Sequence, residues 1–254
     1  MNIAVIISLI PEAEAKLNIT NDNKRIEASN KKFIINPLDE FALEEAIRTK
    51  EKFGGEVKII AYSVIDDIAN AEVLLRSALA VGADNAIFIE NTENFSQALI
   101  AKNICQYLSD FKPDIIFTGN KNIFYNSTEL PVIVSTLFEL NCLTEVIKLD
   151  FRQENENHII AICEREIEIG KEKVEIKLPC VLAVNKGINE PRYPKLVDIM
   201  RAKSKPFIMK KAEIVDDILD VEKIDIVINN RENHVINDTD EEIKKLAEIL
   251  KTKL

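Results

Sequence analysis

Four short apolar runs, each followed by a stretch with helical spacing, constrain this chain more than any other feature. The runs are 3–9 (IAVIISL), 57–63 (VKIIAYS), 86–89 (AIFI) and 115–118 (IIFT). The first is apolar at nearly every position, as a strand covered on both faces must be. Between the first two runs, Asn36-Pro37-Leu38-Asp39 opens a helix reaching to about residue 52. Phe41, Ala42 and Ala46 supply its buried stripe, and Gly54-Gly55 stop it. Ala71, Leu74, Leu75, Ala78 and Leu79 recur at helical spacing over 67–81, and further helices are predicted over 96–110 and 131–140. This alternation predicts an α/β fold with a doubly wound parallel sheet, in which ligands sit at the C-terminal ends of the strands.

After residue 149 the pattern changes to period two. Ile160 and Ile162, then Val174, Ile176 and Leu178, fall on one face with charges between them, and Ile169-Gly170-Lys171 reads as a turn. The segment 151–184 is therefore a β-hairpin extension leading into a strand at 180–184. A loop with a short helix follows. The expected organisation is a domain over 1–206 and a C-terminal arm, 207–254, that ends in an amphipathic helix over 238–251 and docks on a partner subunit.

Several function classes are excluded at this level. A net charge of −10 speaks against general nucleic-acid binding, which relies on clustered Lys and Arg. The four cysteines are scattered without a CxxC, and no His pair has metal-ligand spacing. Only six glycines occur, and GxGxxG, Walker A and GxSxG are absent, so neither a Gly-rich phosphate cradle nor a stand-alone catalyst is indicated. No apolar stretch approaches the roughly 20 residues of a membrane span. The N-terminal run lacks a basic leader, which makes a cytoplasmic location the expectation.

Three strand-end places can carry function. Asn36-Pro37-Leu38-Asp39 places backbone N–H groups at a helix start, where they either hold a phosphate or simply cap the helix. Ser63-Val64-Ile65 ends a central strand. The loop 119–131 (GNKNIFYNSTELP) enters the next helix at a switch point, and its Asn120, Asn126, Ser127 and Thr128 either meet a ligand or cap that helix.

Four segments together resemble the beta subunit of electron transfer flavoproteins. They are NPLDEFALEEAIRTKEKFGGEV (36–57), LLRSALAVGADNAI (74–87), EREIEIGKEKVEIKLPCVLAV (164–184) and NKGINEPRYPKLVDIMRAKSKP (185–206). The resemblance spans about residues 1–206, and NEPRYP followed by IM-x-AK is its most specific part. It implies an adenine-nucleotide-hydrolase-like domain that pairs with an alpha subunit as a heterodimer. Such a heterodimer shuttles electrons through FAD between acyl-CoA or other flavin dehydrogenases and a quinone-reducing or other acceptor. The alpha subunit holds most of the FAD. The beta subunit is a carrier component rather than a catalyst, and it holds a buried AMP, or a second FAD in electron-bifurcating relatives.

Carried over by position, the nucleotide site comprises Ile6, Asn36, Pro37, Leu38, Asp39 and Val64, together with Phe124, Tyr125, Asn126, Ser127, Thr128, Glu129, Leu130, Pro131 and Val132, the loop continuing to Ser135. Leu196, within the loop 190–201, becomes the partner-recognition residue, with Arg192, Ile199 and Met200 around it and Lys195, Arg201 and Lys203 as a basic frame.

The chain departs from the family at the nucleotide. The family's acidic, glycine-containing loop (G-x-Q-A-x-D-x-D, then Gln and Gly) is replaced: Phe124, Tyr125 and Asn126 stand at its acidic positions, and Pro131 stands for the later glycine. Ile6 stands where the family has a small residue, and Ser8 replaces a lysine. These changes imply AMP binding that is weakened, altered or lost. The alternative function is a redox-silent nucleotide-binding or structural partner subunit.

Overall fold

The computed structural model describes residues 1–28, 32–63, 70–90, 96–155, 158–213, 221–226 and 239–253. The chain divides into two units, Met1–Lys223 and Ile224–Leu254. In the first, the elements run β1 (Asn2–Pro11), β2 (Leu17–Ile19), β3 (Ile26–Ala28), β4 (Phe33–Ile35), α1 (Pro37–Phe53), β5 (Glu56–Ser63), α2 (Ala71–Val81), β6 (Asn85–Glu90), α3 (Gln97–Leu108) and β7 (Ile115–Gly119). They continue with α4 (Leu130–Leu137), β8 (Asn141–Asn155), β9 (His158–Ile167), β10 (Gly170–Lys177), β11 (Cys180–Val184), α5 (Leu196–Ala202) and β12 (Phe207–Lys211).

The main sheet has the order β10-β9-β8-β11-β7-β1-β5-β6-β12, with β4 added antiparallel to β1. From β8 through β11 to β12 every neighbouring pair is parallel, and helices cover both faces. The run at the N-terminus explains how. Ile3, Val5, Ile7 and Leu9 pack with Ala42, Leu43 and Ala46 of α1 and Leu75 and Leu79 of α2. Ala4, Ile6 and Ile10 pack with Ile100, Ile104 and Leu108 of α3 and Val134 of α4. Each fully buried side chain of this size contributes roughly 1.5–3 kcal/mol, so a strand apolar on both faces joins two cores. This is the doubly wound α/β architecture expected from the alternation.

The differences lie at the margins. The antiparallel part starts well before residue 151, because β8 already runs from Asn141 and pairs with β9, which pairs in turn with β10. Glu145 adopts a positive φ of 59°, and the pairing register shifts on both sides of β8 near Val146. This bulge puts Leu143 and Val146 in the same core three residues apart, a spacing that conceals the period of two. Helix α4 ends at Leu137, short of 140. The sheet also extends beyond residue 206, since β12 forms its edge beside β6.

The second unit contains α6 (Asp240–Lys253), with Ile243, Leu246, Ile249 and Leu250 along it, all partly exposed. The expected helix at the C-terminus is present. No helix among the described residues is long and apolar enough to cross a membrane.

Candidate functional site

The sheet order reverses beside β1: the chain passes from β1 to β5 and β6 on one side, then returns to β7 on the other. Such a switch point leaves a crevice between the C-terminal ends of β1 and β7, where doubly wound folds bind ligands. Here the crevice is occupied by Asp39, from the first turn of α1. Asp39 Oδ2 accepts from the Ser8 N–H and the Ser8 hydroxyl, both at 2.7 Å, and Oδ1 accepts from the Gly119 N–H at 2.9 Å. Burial pushes this carboxyl up to about 6, although the three donors pull the other way.

The loop between β7 and α4 is tied down by its own polar groups. Asn36 donates from Nδ2 to the Lys121 carbonyl and accepts from the Ile123 N–H. The Phe124 and Tyr125 N–H groups donate to Asn122 Oδ1. The backbones of Asn122 and Ser127 bond to each other, and the Glu129 N–H donates to Ser127 Oγ. Asn126 turns the chain with a φ of 56°. At the base of the loop, Asn120 Nδ2 donates to Glu145, which Asn185 also reaches, at 2.6 Å in both cases.

Of the sequence-assigned residues, Ile6, Asn36, Asp39, Ser127, Leu130 and Pro131 line one small cavity at this switch point. The cavity measures about 10 Å³, the size of a single water. Pro37 lines a different groove, Leu38 packs against Gly119, and Val64 lies outside the described residues. Phe124 and Tyr125 pair edge-to-face, 4.9 Å between ring centroids, while Asn126, Thr128, Glu129 and Val132 are exposed. Sequence reasoning missed Tyr62, Gln97, Thr118 and Asn122, which line the cavity together with Ser8, Gly119 and Asn120. The available signal was Tyr62, a polar-tipped aromatic that follows the apolar run Ile59-Ile60-Ala61 in a central strand.

As lined by the described residues, this cavity of about 10 Å³ does not fit AMP. A phosphate at this place needs free N–H groups. Those of Ser8, Gly119, Ile123, Phe124, Tyr125, Ser127 and Glu129 are already bonded within the chain, and Pro131 has none.

The second feature lies on the α1 and α2 side. Arg192 fixes the segment before α5 onto α1 by donating to Glu44 from its backbone N–H, Nε and Nη2, and to Glu51 from Nη1 and Nη2. Asn189 Nδ2 donates to the Phe41 carbonyl and to Glu45. Burial would raise the Glu44 carboxyl, but bonds from Arg192 and Arg48 outweigh it and hold Glu44 below the usual range. At the other end of α5, Arg76 Nη1 donates to the carbonyls of Ala202 and Lys205, and Lys205 Nζ donates to those of Leu79 and Ala83. Each of these cations bonds one carbonyl in the last turn of a helix, Ala202 of α5 or Leu79 of α2, and one in the segment just beyond it. A groove of about 520 Å³ runs beneath, between α1, α2 and the segment Pro191-Arg192-Tyr193-Pro194.

Held at both ends, α5 presents an apolar surface. Leu196 is 76% exposed, and Val197, Ile199 and Met200 are exposed beside it. Lys195 and Lys203 flank them, and Arg201 lies 3.6 Å from Asp198. The Arg192 guanidinium, assigned from sequence to partner recognition, is bonded to Glu44 and Glu51 within the chain. Among the described residues no cluster of three or more His, Cys, Asp or Glu could hold a metal.

Comparison with known proteins bears on both features. Residues 25–214 match the family described as Electron transfer flavoprotein domain. The chain is 34% identical to electron transfer flavoprotein subunit beta of Bacillus subtilis (strain 168) over 225 residues, 87% of this chain and 82% of that protein. It is 32% identical to the mitochondrial electron transfer flavoprotein subunit beta of Arabidopsis thaliana, covering 97% of both chains. It is also 32% identical to Protein FixA of Azotobacter vinelandii, covering 80% of this chain and 72% of that one.

Proposed function

Because this chain belongs to the electron transfer flavoprotein family, among its beta subunits, we propose that it pairs with an alpha-type subunit. In that heterodimer it serves as a carrier component, passing electrons between flavin dehydrogenases and a quinone-reducing or other acceptor. FAD supplies the redox chemistry, and in this reading it is held mainly by the alpha subunit. The role of this chain is to shape one side of the complex and to present a docking element.

The observation that supports this reading is the exposed α5. Four apolar side chains on a seven-residue helix, including Leu196 and Met200, face outward, while part-buried ionic and carbonyl contacts hold the helix in place. A chain that bound no partner would gain nothing from exposing these groups. Their basic flanks suit a partner surface with an apolar pocket and an acidic rim. The filled switch point favours a second reading, a structural partner subunit without a ligand of its own.

Co-expression with a candidate alpha subunit separates the two. Electron transfer from a flavin dehydrogenase to the purified heterodimer, with about one FAD per complex, is the expected result. A heterodimer that assembles but accepts no electrons would leave the structural reading standing and remove the carrier reading.

A further inference from the structure

We infer that this chain fills its own nucleotide cavity with the side chain of Tyr62, and that it folds and pairs without AMP. The inference rests on the family reading above and concerns only the ligand, not electron transfer.

Tyr62 lies opposite Ser8 in the parallel register of β5 and β1, as Ile60 lies opposite Ile6. Registered residues of parallel strands point to one face, here the face covered by α3 and α4. The Tyr62 ring therefore enters the space at the end of β1 alongside Ile6. It is 2% exposed, and its hydroxyl faces the Ser8 hydroxyl and the Asn122 amide. Asn122 Nδ2 is buried without a formed hydrogen bond, and the adjoining cavity of about 10 Å³ accommodates one water to satisfy it. Small-molecule pockets begin at roughly 300 Å³.

The polar half of the cavity is closed by the same logic. Asp39 takes the N–H groups of Ser8 and Gly119 that face the crevice, and a carboxylate there opposes a phosphate. An aromatic ring, an aliphatic neighbour and an internal acid thus replace purine, packing partner and anion. Ile6, Tyr62 and Pro131 come from three separate segments yet converge on one cavity, which is why they act as a set.

The test uses the FAD-containing heterodimer with its alpha subunit. After acid denaturation, released nucleotides are separated and quantified. About one FAD and less than a tenth of an AMP per heterodimer is the expected result, and close to one AMP overturns the inference. A complex without FAD would instead count against the carrier function and leave the AMP result to be read on its own. Adding millimolar AMP should not change the melting temperature, and a rise that grows with AMP concentration overturns the inference. Tyr62→Val removes the ring and should lower the melting temperature by roughly 5–10 °C, with partial recovery on adding adenine, which wild type ignores. An unchanged melting temperature with no adenine response would show that Tyr62 is not the filler. If Tyr62→Val does not fold, Tyr62→Phe keeps the ring and should stay folded and indifferent to adenine. Adenine uptake by that variant would also overturn the assignment.

Discussion

Arg192 donates three hydrogen bonds to Glu44, at 3.2, 2.8 and 3.0 Å, and the Glu44 side chain is only 2% exposed. One residue of the loop before α5 is thereby anchored to the middle of α1, the partners standing 148 positions apart in sequence. Glu44 retains Arg48, four residues along the helix, as a second cation. The pair sets where the loop sits, and hence where Leu196 is presented.

Arg192→Ala should therefore act on docking more than on folding. Breaking a fully buried pair costs about 3–5 kcal/mol. Arg192 is more than a third exposed and Glu44 keeps Arg48, so about 1–2 kcal/mol is expected from urea unfolding. In electron transfer from a dehydrogenase, KM for the dehydrogenase should rise several-fold with little change in kcat. Arg192→Lys should recover only part of the loss, because an ammonium cannot hold Glu44 and Glu51 with a planar fork. A KM equal to wild type would show that the loop keeps its place without this contact.

Leu196→Ala removes an exposed side chain and should leave heterodimer yield and melting temperature within error. It should slow electron transfer by about tenfold, the scale of a single apolar anchor at an interface. An unchanged rate would take Leu196 out of the docking surface.

The pH dependence of stability carries a signature of Asp39. Its folded pKa of about 6 stands above the ordinary 3.8 because it is buried. Between these values the folded chain binds the proton more tightly than the unfolded chain, so this residue's contribution is complete below pH 3.8 and lost as pH rises through 6. Glu44 acts oppositely: held below its ordinary 4.5, it contributes above that pH and loses the contribution on acidification. In Asp39→Asn, an amide NH₂ must face N–H donors, costing about 1–3 kcal/mol at any pH. The advantage of wild type over this variant should shrink between pH 4 and 7, measured by urea midpoints. A constant difference would place the Asp39 pKa outside that window.

Gly119→Ala should be poorly tolerated. A Cβ built there lies 2.8 Å from the Leu38 backbone carbon and closer still to Asp39 Oδ1. Glycine is required for the close approach of β7 to the start of α1, and overpacking of this kind costs about 1–3 kcal/mol. A thermal melt checks it, and a variant as stable as wild type would mean that α1 can shift away without loss.

Much of the fold was legible because it depends on periods. The run 3–9 supplies side chains to two cores, and its apolar character on both faces predicts a central parallel strand without reference to any partner. The helices over 36–52 and 96–110 were legible from their stripes, their stops and, at Ser96, a side chain that caps by accepting from Leu99. The strand from Asn141 was not. Its bulge at Glu145 is held by Asn120 and Asn185, from elements 25 and 40 residues away, and local spacing carries no trace of such contacts.

The candidate site divides in the same manner. The layered α/β core, the family and the short helix near Leu196 were legible from the sequence alone, since these follow from hydropathy patterns and from one contiguous motif. That Arg192 points inward to Glu44, and that Tyr62, Ser8, Asp39 and residues of the 119–131 loop line one cavity, follows from the fold alone. Hydrogen-bond partners and filled volume are properties of groups brought together by the sheet, and parallel strands join residues that the chain keeps far apart.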